Sequence, residues 1–549
     1  MKPIKTMKPA IILFALCTIT LTFIPGCSRK SSLHPVLQEY LQSPDNHPLI
    51  PNCSYAGYHA GEIPLPGDFV TEGATVANVK DFGAVGDGEH DDTQAILKAL
   101  HSDKKHVYFP EGEYLMTDMI RITQSNKILF GVSPEKSRIH FKKSLSDILG
   151  PFMKANENYN RWSNHGGLIW IAPGDIWDSG GGYIYQLPGP EGHDIGWINR
   201  QFVGSVCCPA ERGEDEIKVK LESPETEIES SGLWILEWHE TEDYSFAKYL
   251  GGHPVHEKYN DWQSAERLKR DWNWCVNLLK KEQKNDTVTL KLSQPIRTDI
   301  LEKWEVKLYK PVGETPYIEE VGISNISLEM EDHRDFIHHL DTGYNGIFFQ
   351  RSYNCWVDNV TIIDADNSIV LESCKNMTVS DVTLEGRTKR HHGFYFRYNV
   401  HDCMLSGFYV GKVGNEALSI AYRSSGNVFR DGTLVHGRFD SHRGLPFDMI
   451  RTNIHIVHND GHSGGGAMAG PRNGARVVHW NVKVDSDVSA EVYQPLQHSS
   501  SVLSGIRGVE IDSTYLDMPP GDKGTEIIYH NKIPVPEDLY RFQLHNRLN

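Results

Sequence analysis

From about residue 320 onward the chain is written in short segments where apolar and polar residues alternate. Val321–Leu328 reads Val-Gly-Ile-Ser-Asn-Ile-Ser-Leu, and its pattern returns at Cys355–Ile362 and Met377–Leu384. It returns again at Met404–Val410, Asn427–Leu434, Ile450–Val457, Arg476–Val484 and Gly508–Leu516. Period-two alternation predicts strands with one face in a core. The steps are about 22 to 34 residues, the period of a stacked repeat, in which neighbouring units bury what no single unit can. Asn325, Asn359, Asp381, Asp431, Asn453 and Asn481 recur in phase, where Asx side chains can satisfy turn backbone groups.

An earlier block is built differently. Asn78–Gly88 is a short strand followed by a glycine-rich turn, and Asp91-Asp92-Thr93-Gln94-Ala95-Ile96 opens a helix. Asp91 or Asp92 can accept from the free N–H groups, and Ile96, Leu97 and Leu100 form the apolar stripe. Strands follow at Lys105–Phe109 and Tyr114–Met116, around the turn Pro110-Glu111-Gly112. No phosphate-binding glycine pattern is present. The block resembles the start of the pectate-lyase superfamily of right-handed parallel β-helix proteins. The resemblance implies an all-β, single-stranded β-helix (pectin-lyase-like) whose first coil is capped by this helix.

Residues 202–310 break the repeat. Glu216–Lys220 and Thr287–Leu292 alternate as strands, and Ser264–Lys281 is expected to be a helix with Leu268, Trp272, Cys275 and Leu279 on one stripe. The segment reads as a small inserted α+β unit, a lid or wall of a cleft; an irregular long coil is the alternative. The organisation expected is thus a leader at 1–26, a tether and extension at 27–75, and the cap and first coils at 76–201. The insertion at 202–310 comes next, then regular coils at 311–516. A tail at 517–549 places Tyr540, Phe542 and Leu544 over the final coil.

At 549 residues the chain exceeds one ordinary globular core, which an elongated repeat accommodates. A mean hydropathy of −0.43 excludes a polytopic membrane protein. The net charge is −17, three units more negative once Lys2, Lys5 and Lys8 leave with the leader, and this argues against nucleic acid as a partner. Those lysines precede the apolar run Ala10–Ile24, too short for a typical span, which ends Ile24-Pro25-Gly26-Cys27. This ending resembles a bacterial lipobox, although Pro25 is unusual in one. The resemblance implies lipidation of Cys27 and a signal-peptide-bearing lipoprotein in the cell envelope, with outer-membrane sorting suggested by Ser28. Seven further cysteines form no disulfide or zinc spacing, and Cys355, Cys374 and Cys403 are expected as buried fillers.

Two clusters interrupt the coils with charge. The first holds Arg390, His391, His392, Arg397 and, a few residues on, His401; the second holds His436, Arg438, Asp440, His442, Arg443 and Arg451. Lying two coils apart, they would be separated by roughly 10 Å at the strand spacing, a sugar-subsite distance. A uronic-acid polysaccharide accounts for both. A lyase must neutralise the carboxylate, remove the C5 proton and release the glycosidic oxygen. His442 with Arg443 suits base and neutraliser, Asp440 orients a histidine, and Arg438 completes the catalytic set. Arg390, His391, His392, Arg397, His436, Arg451, His462 and Arg472 are the expected substrate contacts. The segment also resembles bacterial lipoproteins of the pectate-lyase-like group.

Two alternatives stand beside this one. Asp364-Ala365-Asp366-Asn367 is similar to the N-x-D-G element of polygalacturonases, and His392-Gly393 loosely to their G-H-G, which makes Asp364 and Asp366 the acids of an inverting hydrolase. That family's adjacent Asp-Asp and its R-x-K element are missing. The other alternative is a non-catalytic glycan-binding surface protein. No cofactor or metal is expected; calcium is conceivable, but no dense carboxylate cluster occurs. The protein is expected to act as a monomer.

Overall fold

In a computed structural model of the protein, the described residues are 33–153, 158–174, 200–229, 232–252, 268, 270–331, 337–387, 390–411, 416–437, 439–459, 471–485, 493, 499–511 and 524–549. The alternating segments stack as a parallel β-solenoid. Its long sheet runs through Val76–Asn78, His106–Phe109, Ile128–Gly131, Gly322–Met330, Trp356–Ile363, Thr378–Glu385, Met404–Ser406, Val428–Gly437, Met449–Asn459, Val477–Val484, Val502–Ser504 and Glu526–Ile528. A shorter parallel sheet joins Ile120–Ile122, Ile169–Ile171, Ile347–Gln350, Asn367–Glu372, His392–Phe396, Glu416–Ile420 and Phe439–Ser441. In the long sheet Leu129, Ile323, Val357, Val379, Leu405 and Phe429 occupy one register position and stack inside the coils.

The recurring Asx residues each take a left-handed backbone conformation, with φ of 50–56° from Asn325 to Asn481. They bend the strand, and the pairing skips them, as between Ser324↔Asp358 and Ile326↔Val360. Asn and Asp tolerate this region better than other side chains. Their side chains bond mainly to one another: Asn359 donates to Asn325 at 2.7 Å and Asn481 to Asn453 at 3.2 Å. The ladder therefore runs from side chain to side chain between coils rather than from side chain to backbone.

Asp91 caps the amide of Thr93 at 3.0 Å, while Asp92 accepts from Val85 and Gly86 and ties the glycine-rich turn to the helix Thr93–Leu100. Ile96, Ala99 and Leu100 seal the start of the core. Cys355, Cys374 and Cys403 are buried in it, as their composition suggests.

Between Ile128–Gly131 and Gly322–Met330, which pair directly, the chain leaves the solenoid and builds a closed antiparallel barrel. Its strands are Arg200–Val206, Glu216–Leu221, Leu233–Trp238, Trp272–Lys284, Thr287–Leu292 and Lys307–Pro311. The helix expected at Ser264–Lys281 is corrected here: 272–284 is a strand, 264–267 lies outside the described residues, and a seven-residue helix stands instead at Ser245–Gly251. Trp272, Trp274, Val276 and Leu278 fill the barrel, and Cys275 packs on its other face with Leu233 and Ile235. Burial of both faces spreads apolar residues at spacings that mimic a helical stripe, and Leu279, assigned to that stripe, is 62% exposed.

Two further expectations change. The rung after Val477–Val484 is Val502–Ser504, not Gly508–Leu516, of which 512–516 lies outside the described residues. The tail helix Leu539–Leu548 belongs to one outer-face cluster that runs along Val428, Ile450, Val478, Val502 and Ile528, rather than to the final coil alone. The helix Pro35–Gln42 joins it there with Val36, Leu37 and Tyr40. Among the described residues no helix is long and apolar enough to cross a membrane.

Candidate functional site

On the short sheet, Val370, Tyr395, Ser419 and Asp440 share one register position in successive strands. Phe394 and Phe396 point inward to meet Phe408 and Phe429, so the intervening Tyr395 belongs to the outer face. The two charged clusters are thus two rungs apart in backbone terms. Ser419 between them is small, and the side chains close the gap: the His442 ring lies 5.7 Å from both His392 and Tyr395. His392 stacks on Tyr395 at 4.3 Å and on His391 at 4.2 Å.

His442 is the accessible tip of this stack. Its side chain is 27% exposed, and its Nδ1 lies 2.9 Å from Oδ2 of a fully buried Asp440. Burial opposes charge on the ring, but the Asp440 carboxylate, its hydrogen bond and Glu416 overcome this and raise the His442 pKa. The nearest carboxylate to His392, on Glu416, stands farther off at 3.8 Å. Burial, then His391 and His442, hold the His392 ring well below the usual imidazole range. Burial also lifts the Tyr395 phenol well above its ordinary value. Asp341 sits behind, its pKa raised by burial and then by Asp366.

The remaining predicted residues divide by where their charge is engaged. Arg390 is buried, 3.8 Å from Asp364, and Arg397 is buried with Glu372 at 3.0 Å and His165 at 2.6 Å. Both are held inside the protein rather than offered to a ligand. Arg451, expected at a substrate, follows Phe429 in the inward row and is corrected to an interior residue. Its guanidinium meets His479 at 3.0 Å and Ser441 at 3.1 Å. No carboxylate lies within ion-pair distance of it among the described residues, and burial pushes its pKa down to about 10.

Asp364 is buried in a left-handed turn, bound by the Arg387 side chain and amide, so neither oxygen is free to act as a hydrolytic acid. Asp366 accepts from the Tyr344 amide at 3.0 Å, and its carbonyl receives the amides of His391 and His392. Arg443 is half-buried at the corner after His442, with φ 64°, and Arg472 is half-buried ahead of Val477–Val484. Arg438, His462 and Cys27 lie outside the described residues, as does the side chain of His436.

Sequence reasoning missed Tyr395, Glu416, Ser419 and Asp341. Glu416 left a signal: it stands one coil after His392 in the same register position, at the head of the apolar run Ala417–Ile420. Three ligand-type groups, each with its donor atoms within 4.8 Å, line up here: His338, His339 and His391; His391, His392 and Glu416; Glu416, Asp440 and His442. Each contains histidine, a donor that calcium, an oxygen-seeking ion, does not favour.

The fold is a parallel β-solenoid that carries a cluster of histidines, carboxylates and a tyrosine on its short sheet. The sequence model of a family described as "Rhamnogalacturonase A/epimerase, pectate lyase-like" matches residues 76–170. The chain is 49% identical over 51 residues to plasmin and fibronectin-binding protein A of Streptococcus pneumoniae, which is 8% of this chain and 7% of that protein. It is 37% identical over 82 residues to the pre-neck appendage protein of Bacillus phage B103, 15% of this chain and 9% of the other. Among solved structures, an exopolygalacturonase from Thermotoga maritima aligns with TM-score 0.38 and 11% identity over 83% of this chain and 91% of that one.

Proposed function

We propose that the protein cleaves an anionic, uronic-acid-containing polysaccharide outside the cytoplasm by β-elimination. One observation carries the reading: the partly exposed His442 ring is held at 2.9 Å by the fully buried Asp440. Asp440 accepts a hydrogen bond from Nδ1–H, which leaves Nε2 as the proton acceptor and stabilises the imidazolium that forms, the logic of an Asp–His pair. Nε2 removes the C5 proton, the C5–H electrons form the C4=C5 double bond, and the O4 glycosidic bond breaks. The departing oxygen takes a proton, for which Tyr395 is the neighbouring phenol. Arg443, next in the chain, meets the substrate carboxylate.

The inverting hydrolase reading is less favoured. Asp364 is tied up by Arg387, and carboxylate oxygens of Glu416 and Asp440 lie within 4.8 Å of each other. An inverting pair stands about 6.5–9.5 Å apart. Export and anchoring through a lipidated Cys27 belong to the same proposal, since an extracellular polymer has to be met outside the cell.

The test is incubation of the leaderless protein with pectin, alginate, ulvan and glycosaminoglycans. Elimination produces the ultraviolet absorbance of an unsaturated uronate. New reducing ends without that absorbance would make the protein a hydrolase, and binding with neither would make it a glycan-binding protein.

A further inference from the structure

His391 has its ring fixed from behind. Its Nδ1 lies 2.9 Å from the backbone carbonyl of Ser163, which can only accept, so Nδ1 carries the proton. Asp341 Oδ2 reinforces this from 3.4 Å. In the neutral ring Nε2 therefore presents a lone pair, and it faces Glu416 Oε2 at 3.6 Å. Nδ1 of His392 faces the same oxygen at 3.8 Å, and the Ser419 hydroxyl at 3.1 Å. Both histidines thus face one carboxylate oxygen, and His391, His392 and Glu416 can each bring one donor atom to within 4.8 Å of the others.

The spacing distinguishes a metal from a proton. A proton shared between nitrogen and oxygen draws them to about 2.7–2.9 Å. Tetrahedral ligands with bonds of about 2.0–2.2 Å stand roughly 3.3–3.6 Å from one another. The observed separations fall near the second range and outside the first. We propose that His391 Nε2, His392 Nδ1 and Glu416 Oε2 bind a divalent transition metal of the zinc class. Two imidazoles and one carboxylate suit such an ion and leave a position for an oxygen of water or substrate. Asp341 and the Ser163 carbonyl supply the outer support that metal-bound histidines characteristically have. The sequence reading expected no metal, because Glu416 joins the two histidines only through the parallel register. The inference does not depend on the elimination chemistry.

The test uses the leaderless chain, stripped with chelator and titrated with Co2+ and then Zn2+ alone. One equivalent should bind saturably, with the intense visible bands of four- or five-coordinate Co2+, and Zn2+ should bleach them. Glu416→Gln and His392→Ala should each weaken binding by well over tenfold, and Asp341→Asn by about 10–100-fold. His239→Ala, at an exposed pair with Asp271, should bind like the parent. Melting of each variant without metal reports its folding. Should a ligand variant not fold, the ring-nitrogen resonances of His391 and His392 in the parent must shift on adding Zn2+. No saturable binding, or unchanged binding in folded Glu416→Gln and His392→Ala, would overturn the proposal. Because no substrate is present, failure to cleave polysaccharide leaves this result standing, and the reverse holds too.

Discussion

Arg451 and His479 meet at 3.0 Å inside the solenoid, in the row where the coils on either side place Phe429 and Leu503. A guanidinium here, without a carboxylate, relies on hydrogen bonds: His479 and Ser441 receive it, and His479 is bonded in turn to Tyr493. Hydrogen bonds between polar groups inside a core are costly to break singly.

Arg451→Met should therefore lower stability by about 1–3 kcal/mol, because it takes the guanidinium away from His479 Nε2 and the Ser441 hydroxyl. Adding His479→Leu should recover part of that loss, with a coupling of about 0.5–3 kcal/mol between the two sites. Denaturant melts of the two single variants and the double variant measure it. Strict additivity would show that the pair is not a unit. Polysaccharide cleavage per folded molecule should be unaffected, which would separate Arg451 from the substrate contacts.

His442→Ala and Asp440→Asn should lower turnover by roughly 10²–10⁴-fold while substrate binding stays near normal. Arg443→Lys should reduce it more than retained charge suggests, because an ammonium cannot reproduce a planar fork on a carboxylate. Asp364→Asn should act on stability, through the Arg387 contacts, and leave turnover of the folded fraction close to the parent's. Steady-state kinetics on the polysaccharide that responds decide it. Near-normal His442→Ala with an inactive, folded Asp364→Asn would return the site to the hydrolase assignment.

The seam between barrel and solenoid should be acid-labile. His401 lies under Trp272, bonded to Ser425 and to the Asn273 carbonyl, and burial, despite Asp402, holds its pKa down to about 3. The unfolded chain protonates it near pH 6.5. Its contribution is thus complete above that pH and is lost as pH falls from about 6.5 toward 3. Thermal melts between pH 7.5 and 4.5 should show a falling midpoint, and His401→Gln should flatten part of that slope. An unchanged slope in the variant would assign the acid sensitivity elsewhere.

Asp402 in the same seam takes both Arg297 and Lys375 while fully buried. Asp402→Asn leaves two buried cations short of a counter-charge and should cost about 3–5 kcal/mol, detectable by denaturant titration. A loss below ~1 kcal/mol would mean that the remaining acid, Asp448, takes over the pairing.

Cys27→Ala should leave the protein in soluble fractions, or unprocessed at higher mass. Membrane fractionation with metabolic lipid labelling checks this. Processing and partitioning identical to the parent would end the lipoprotein reading.

The strand Met449–Asn459 shows where sequence suffices and where it stops. Its alternation, with Asn453 at the bend, marked it as one rung of a parallel stack, because strand period and turn preference are local properties of the chain. Read alone, Ile450 belongs inside and Arg451 outside. The structure reverses them: the terminal helices Pro35–Gln42 and Leu539–Leu548 cover Ile450 on the outer face, so Met449 and Arg451 turn inward. Coverage by segments hundreds of residues away leaves no trace in a local pattern. The same limit applies at the site. The residue types of both clusters and the His442–Asp440 spacing were legible, being adjacent in sequence. The convergence of Tyr395, Glu416 and Ser419 on them was set by register across three rungs. Only stacking decides that register.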